Sequence, residues 1–121
     1  MFVSREYLEY TFSYKGLTET IKHCNSATTD FDLTGQIVWP ASEALAMYIM
    51  DHAEQFAEKT VLELGAGAGL SGIVCSHYSK NVIVTDGNDV VVELLSLNAL
   101  AVKPPRDQRV KAAKFDWKDY R

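Results

Sequence analysis

The segment Glu63-Leu-Gly-Ala-Gly-Ala-Gly-Leu-Ser-Gly72 concentrates the chemistry-bearing positions of this chain. Glycines at 65, 67 and 69 let a backbone turn sharply out of a strand and let a ligand approach with no Cβ in the way. The helix pattern that follows would offer N–H groups without partners at its first turn. Asp86 stands 21 residues after Gly65, at the end of a second apolar run. An acid at that position can accept both hydroxyls of an adenosine ribose. Glu63 adds a carboxylate two residues before the first glycine.

Two ligand classes use such a turn: dinucleotides and S-adenosylmethionine. A dinucleotide fingerprint G-x-G-x-x-G starting at Gly65 needs glycine at position 70, where this chain has Leu70. Starting at Gly67, the glycines at 67, 69 and 72 satisfy it, but Gly65 is then left as an extra turn residue. Glu63 would be adverse beside a pyrophosphate and suits a cationic methionine moiety. Asp86 serves either ligand, so Glu63 and the glycine register decide for S-adenosylmethionine.

The elements around this turn follow from periodicity. Residues 10–24 read as two short strands around Lys15-Gly16, and the polar residues 25–35 as a loop. Pro40 suits a first helical turn, and Leu45, Tyr48, Ile49, Ala53 and Phe56 continue at helical spacing to about Ala57. Residues 60–64 form an apolar strand. Leu70, Ile73, Val74 and His77 are spaced as one helix face, and residues 81–86 form the second strand. Asn88 or Asp89 caps a third helix bearing Val91, Leu94, Leu95 and Asn98, and a third strand runs from Val110 to Phe115. The order β-α-β-α-β predicts an α/β fold, a Rossmann-like doubly wound parallel sheet with helices on both faces. Right-handed crossovers place the strand C-terminal ends on one edge, where ligands of such folds bind. One domain is expected over 1–121: a hairpin and loop at 1–36, a helix at 37–58, and the cofactor-binding half at 59–121.

Composition narrows the class. The chain has 121 residues, 47% hydrophobic and 23% charged, which excludes disordered and collagen-like chains. No apolar run is long enough for a membrane span, and MFVSREYLEY has no signal-like apolar core, so no membrane partner is expected. Cys24 and Cys75 match no metal or redox spacing and read as reduced, buried small hydrophobes. No metal is expected, and His52 and His77 read as structural. The expected compartment is the cytoplasm, with the nucleus left open. The net charge is −4, yet residues 103–121 hold seven bases against three acids. The acidic remainder repels phosphate backbones and suits a basic protein partner rather than nucleic acid. The basic tail reads as a solvated face, because no aromatic ladder accompanies it.

ELGAGAGLSG (63–72) followed by VIVTDGNDVVVELLSLN (82–98) resembles the seven-strand class I methyltransferases. Within them the chain is similar to the non-histone protein-lysine methyltransferases, the methyltransferase-16 group. DLTGQIVWPASEALAMYI (32–49) is the more specific link, and FDWKD (115–119) matches the aromatic-acid stretch after the third strand. The resemblance implies S-adenosyl-L-methionine as cofactor and a protein substrate bearing a lysine. It implies that Trp39 borders the cofactor and that Gly65, Ala66 and Gly67 underlie its methionine and ribose. Asp86 holds the ribose hydroxyls, Trp117 packs near the adenine, and Asp116 lies near the adenine amino group. Glu63 sits near the methionine ammonium or orients the loop.

The family's sheet has seven strands, and the reading above ends after three. A truncated domain is therefore expected, without the acidic-x-x-Tyr motif that follows strand four. No residue in 1–121 is assigned as a base or as a clamp for the acceptor lysine. A non-catalytic module retaining the cofactor half, a small-molecule methyltransferase and a nicotinamide-dependent oxidoreductase fragment are the competing readings.

Overall fold

A computed structural model describes residues 7–24 and 37–119. The expected loop at 25–35 lies outside the described residues, as do Tyr120 and Arg121.

The chain begins with an antiparallel hairpin, β1 (Leu8–Tyr14) and β2 (Leu17–His23). The two residues Lys15-Gly16 turn it, both at positive φ, and Tyr14 pairs with Leu17 across the turn. Phe12 and Ile21 are the hairpin's buried pair. Helix α1 (Pro40–Asp51) follows, with Trp39 as its N-cap residue and Pro40 in its first turn. A parallel sheet of three strands, β3 (Thr60–Glu63), β4 (Asn81–Asp86) and β5 (Val110–Lys114), is ordered β3-β4-β5. Helix α2 (Leu70–Cys75) joins β3 to β4, and helix α3 (Asp89–Leu100) joins β4 to β5.

Helix α1 is shorter than its apolar spacing suggested. It ends at Asp51, and Ala53–Gln55 form a 3-10 turn instead of a further α-turn. His52 leaves the helical region at φ −124°, and its ring stacks on Tyr48 at 4.1 Å between centroids. Phe56 still reaches the core, which is why its spacing looked helical.

Register shows which side of the sheet is covered. Val61 pairs with Val82 and Glu63 with Val84, while Val82 pairs with Val110 and Val84 with Ala112. These residues share one face, because side chains alternate along a strand. Val82 and Val84 are fully buried there with Leu70, Ile73, Val74, Leu94 and Leu95. Helix α2 lies over Val82 and Val84, and α3 over Val110 and Ala112. Both crossovers step along the sheet in the same direction, and right-handed connections then deposit both helices on one side. Covering the other side takes a reversal of strand order. Among the described residues, no helix lies on the opposite face, which carries Leu62, Ile83, Lys111 and Ala113. Leu62 is 59% exposed.

The hairpin forms an outer layer on α2 and α3. Three ties hold it. Asp51 at the end of α1 accepts from the Tyr14 hydroxyl at 3.0 Å and pairs with Lys15 at 2.6 Å. Glu19 on β2 pairs with His77 Nε2 at 2.7 Å and Arg106 Nη1 at 2.5 Å. Asn98 on α3 bonds the backbone of Lys22. His77 is thus structural, but as a polar partner of Glu19 rather than a core residue. Cys75 is buried as expected, whereas Cys24 is only half-buried.

The Glu19 cluster has a pH consequence. Burial would raise the Glu19 pKa, but His77 and Arg106 outweigh burial and hold it below the ordinary carboxylate value near 4.5. A depressed native pKa contributes stability above the unfolded value, and that stability is lost as pH falls through the native one. Glu19→Gln is expected to lower the melting temperature at pH 7 and to converge with the parent in acid. Circular-dichroism melts across pH check this.

Candidate functional site

The C-terminal ends of β3, β4 and β5 meet at one edge, as parallel strands must. Gly65 and Gly67 sit there with φ of +65° and +58°, a region that side-chain-bearing residues rarely adopt. The loop is fixed from below. The Ala66 amide donates to the Thr85 carbonyl at 2.8 Å, and the Gly67 amide donates to Asp86 Oδ2 at 3.1 Å. Asp86 Oδ1 accepts from the Asn88 amide at 3.3 Å. One carboxylate therefore ties the glycine loop of β3 to the start of α3. Asn88 caps α3 through its side chain, accepting from the Val90 and Val91 amides. Each carboxylate oxygen has a second lone pair, so Asp86 keeps acceptor capacity.

Trp117 stands over this loop. It opens the 3-10 turn Trp117–Asp119, and its Cζ2 lies 4.0 Å from where a Cβ on Gly65 would be. The ring is 67% exposed. The Phe115 amide donates to the Asp86 carbonyl at 2.9 Å, which holds the segment after β5 against the end of β4. Asp116 accepts from the Lys118 amide and backs onto Gly87. Lys114 at the end of β5 is paired with Asp89 at 2.9 Å.

Glu63 does not face the open edge. Strand alternation turns it under α2, where Oε2 accepts from the Ser71 hydroxyl. Its Oε1 is buried with no hydrogen-bond partner among the described residues. Burial pushes the Glu63 carboxyl above its ordinary value near 4.5; Ser71 and the Gly72 amide pull the other way, and the charge of Asp86 adds to the rise. Helix α2 has only six residues, and Glu63 lies against its first turn. The first turn of α2, read as offering N–H groups, is thus already faced by a carboxylate.

A titration follows from this. The native state holds the Glu63 proton more tightly than the unfolded chain, so stability falls as pH rises from about 4.5 through the raised native value. Glu63→Gln is expected to abolish that fall and to raise the melting temperature at neutral pH, with little effect at pH 4. Thermal melts over this range check it.

Trp39 is 49% exposed at the N-cap of α1, which packs on α2. The edge thus brings together Gly65, Ala66, Gly67, Asp86 and Trp117, places Glu63 beneath them, and leaves Trp39 at the start of α1. The residue that sequence reasoning underrated is Asn98, which was read only as one position of a helix face. It donates to the Ala68 carbonyl of the loop at 2.7 Å. Among the described residues no group of three or more His, Cys, Asp or Glu could hold a metal ion, and no helix is long and apolar enough to cross a membrane.

Comparison with known proteins shows the family of the chain. A model of the lysine methyltransferase family matches residues 17–121. The chain is 34% identical over 93 residues to a calmodulin-lysine N-methyltransferase of Arabidopsis thaliana, covering 68% of this chain and 30% of that protein. It is 31% identical over 104 residues to the human protein-lysine N-methyltransferase EEF2KMT, covering 77% of this chain and 32% of that protein. The chain spans about a third of the length of these curated relatives. Among solved structures, a putative RNA methyltransferase, PH1948 of Pyrococcus horikoshii, shares the fold with a TM-score of 0.58. Its sequence identity is 21%, over 81% of this chain and 47% of that one. The β-α-β-α-β half with its glycine loop and the match over 17–121 agree, and the chain belongs to the lysine methyltransferase family.

Proposed function

We propose that this edge cradles S-adenosyl-L-methionine and that the protein serves methyl transfer to a lysine side chain of another protein. One observation carries the reading: the Gly65–Gly67 loop is held at positive φ by the Asp86 carboxylate below, with the Trp117 ring above Gly65. The residues fit the cofactor. Gly65 and Gly67 leave backbone accessible, and Asp86 retains lone pairs for ribose hydroxyls. Trp117 offers an aromatic face to an adenine. Glu63 orients the first turn of α2 and adds negative potential favourable to a sulfonium cation. That same charge opposes a pyrophosphate, which disfavours a nicotinamide dinucleotide.

When bound, the cofactor supplies an activated methyl carbon on a sulfonium sulfur. The acceptor lysine, with a reference pKa of about 10.4, must first lose its proton and then be aligned with that carbon. The names of the relatives support lysine as the acceptor and a protein as the substrate. Binding without transfer is the second reading.

Incubation with tritiated S-adenosylmethionine and cell extract, followed by mass spectrometry of labelled proteins, separates the two. Methyl-lysine in a protein is the expected product. Cofactor binding without label supports the second reading, and label confined to small molecules or nucleic acid contradicts the first.

A further inference from the structure

Asn98 is 3% exposed in the last turn of α3, and its Oδ1 and both Nδ2 hydrogens are engaged. Oδ1 accepts from the Lys22 amide at 2.8 Å. Nδ2 donates to the Lys22 carbonyl at 2.9 Å and to the Ala68 carbonyl at 2.7 Å. Flipping the amide would set its oxygen against two carbonyls, so the partners fix its orientation.

The two ends of this bridge belong to different layers. Lys22 lies on β2, opposite Glu9 of β1, and turns its N–H and C=O outward from the hairpin to Asn98. Ala68 lies between Gly67 and Gly69, in the loop proposed to cradle the cofactor. On the strand side that loop is held by Thr85 and Asp86, through the Ala66 and Gly67 amides. On the hairpin side the Ala68 carbonyl is held by Asn98. Glycine-rich loops lose more conformational freedom on ordering than any other sequence, so each fixed strut removes states that a ligand would otherwise have to select against.

We infer that Asn98 is a positioning residue through which the N-terminal hairpin sets the conformation of the glycine loop. The inference rests on the loop being the cofactor cradle. It gives the hairpin a role in cofactor binding although the hairpin lies on the outer layer. Asn98 acts through the Ala68 carbonyl and does not touch the cofactor.

The test compares three variants of the full chain. Asn98→Leu removes all three bonds at similar volume. Asn98→Asp keeps the acceptor for the Lys22 amide and loses both donors. Val110→Ala opens the core at the start of β5, the sheet end away from the loop, and leaves the loop contacts alone. Amide hydrogen exchange at Gly67 and Gly69, and the Kd for S-adenosylhomocysteine, are measured beside the melting temperature. Both Asn98 variants are expected to speed loop exchange and to raise Kd by about tenfold or more, the change that one net hydrogen bond carries. Val110→Ala should lower the melting temperature with loop exchange and Kd within about threefold of the parent, as expected for a distant, uncoupled site. Loop exchange and Kd that merely follow melting temperature across all three variants would overturn the inference. Should Asn98→Leu not fold, Asn98→Asp carries the same comparison. A parent chain that binds no S-adenosylhomocysteine would remove the proposed cofactor site, while the exchange comparison would still decide whether Asn98 braces the loop.

Discussion

Asp86→Ala is expected to weaken S-adenosylhomocysteine binding by about 100-fold or more while leaving the fold intact. Two effects combine. The substitution removes the acceptor proposed for the ribose hydroxyls, and charge-assisted hydrogen bonds of this kind are worth about 1.5–3 kcal/mol each. It also releases the Gly67 amide, which donates to Oδ2 at 3.1 Å, so the loop itself loses an anchor. The fold should survive because Asp86 is half-buried at a strand end and the backbone bonds of its neighbours to β3 and β5 remain. Asp86→Asn separates the two effects. It keeps an oxygen for the Gly67 amide and loses the charge, so an intermediate affinity is expected. Isothermal titration of both variants reads this directly, and an Asp86→Ala affinity equal to the parent's would show that the ribose is held elsewhere.

Gly72→Ala is expected to destabilise the fold, against the ordinary helix preference. Alanine in place of glycine inside a helix is normally worth about 1 kcal/mol in its favour. Here a Cβ on Gly72 would lie 2.3 Å from Val84 Cγ1 and 2.8 Å from Glu63 Oε1. Neither neighbour can retreat easily, because Val84 is fully buried on β4 and Glu63 is held by Ser71. Overpacking of this type costs about 1–3 kcal/mol, and more where backbone must shift. At roughly 4–8 °C per kcal/mol for a domain of this size, the melting temperature should fall by about 10 °C. Adding Val84→Ala should restore part of the loss, since the two positions share one contact. A melting temperature raised by Gly72→Ala alone would mean that α2 does not sit this close to the sheet.

The sequence was most legible where a local rule acts alone. Residues 81–86 are an apolar run bounded by polar residues, and β4 has those limits. Asn88 was one of two candidate caps and is the one that accepts from Val90 and Val91. Lys15-Gly16 turns the hairpin as its composition indicates. The end of α1 was not legible, because a 3-10 turn keeps Phe56 close to helical spacing while His52 has already left helical geometry.

The position of Glu63 was readable in principle. Strand alternation puts it on the side of Val61, toward the helices, and motif spacing alone does not say which way a strand residue points. Asn98 could not have been found from its neighbours: its partners Lys22 and Ala68 are 76 and 30 residues away. The same holds for Glu19, whose partners His77 and Arg106 become adjacent only when the hairpin docks. Helices on both faces are what strands this apolar lead one to expect; among the described residues they lie on one side, because strands stepping in one direction keep their connections on that side.

The cofactor assignment is the centre of this account, and a calorimetric titration of the 121-residue chain with S-adenosylhomocysteine and, separately, with NAD tests it most directly. The expected result is saturable binding of S-adenosylhomocysteine and no heat with NAD, because Glu63 beneath the loop opposes a pyrophosphate and Asp86 with Trp117 suits an adenosine. Binding of NAD with no response to S-adenosylhomocysteine would contradict it.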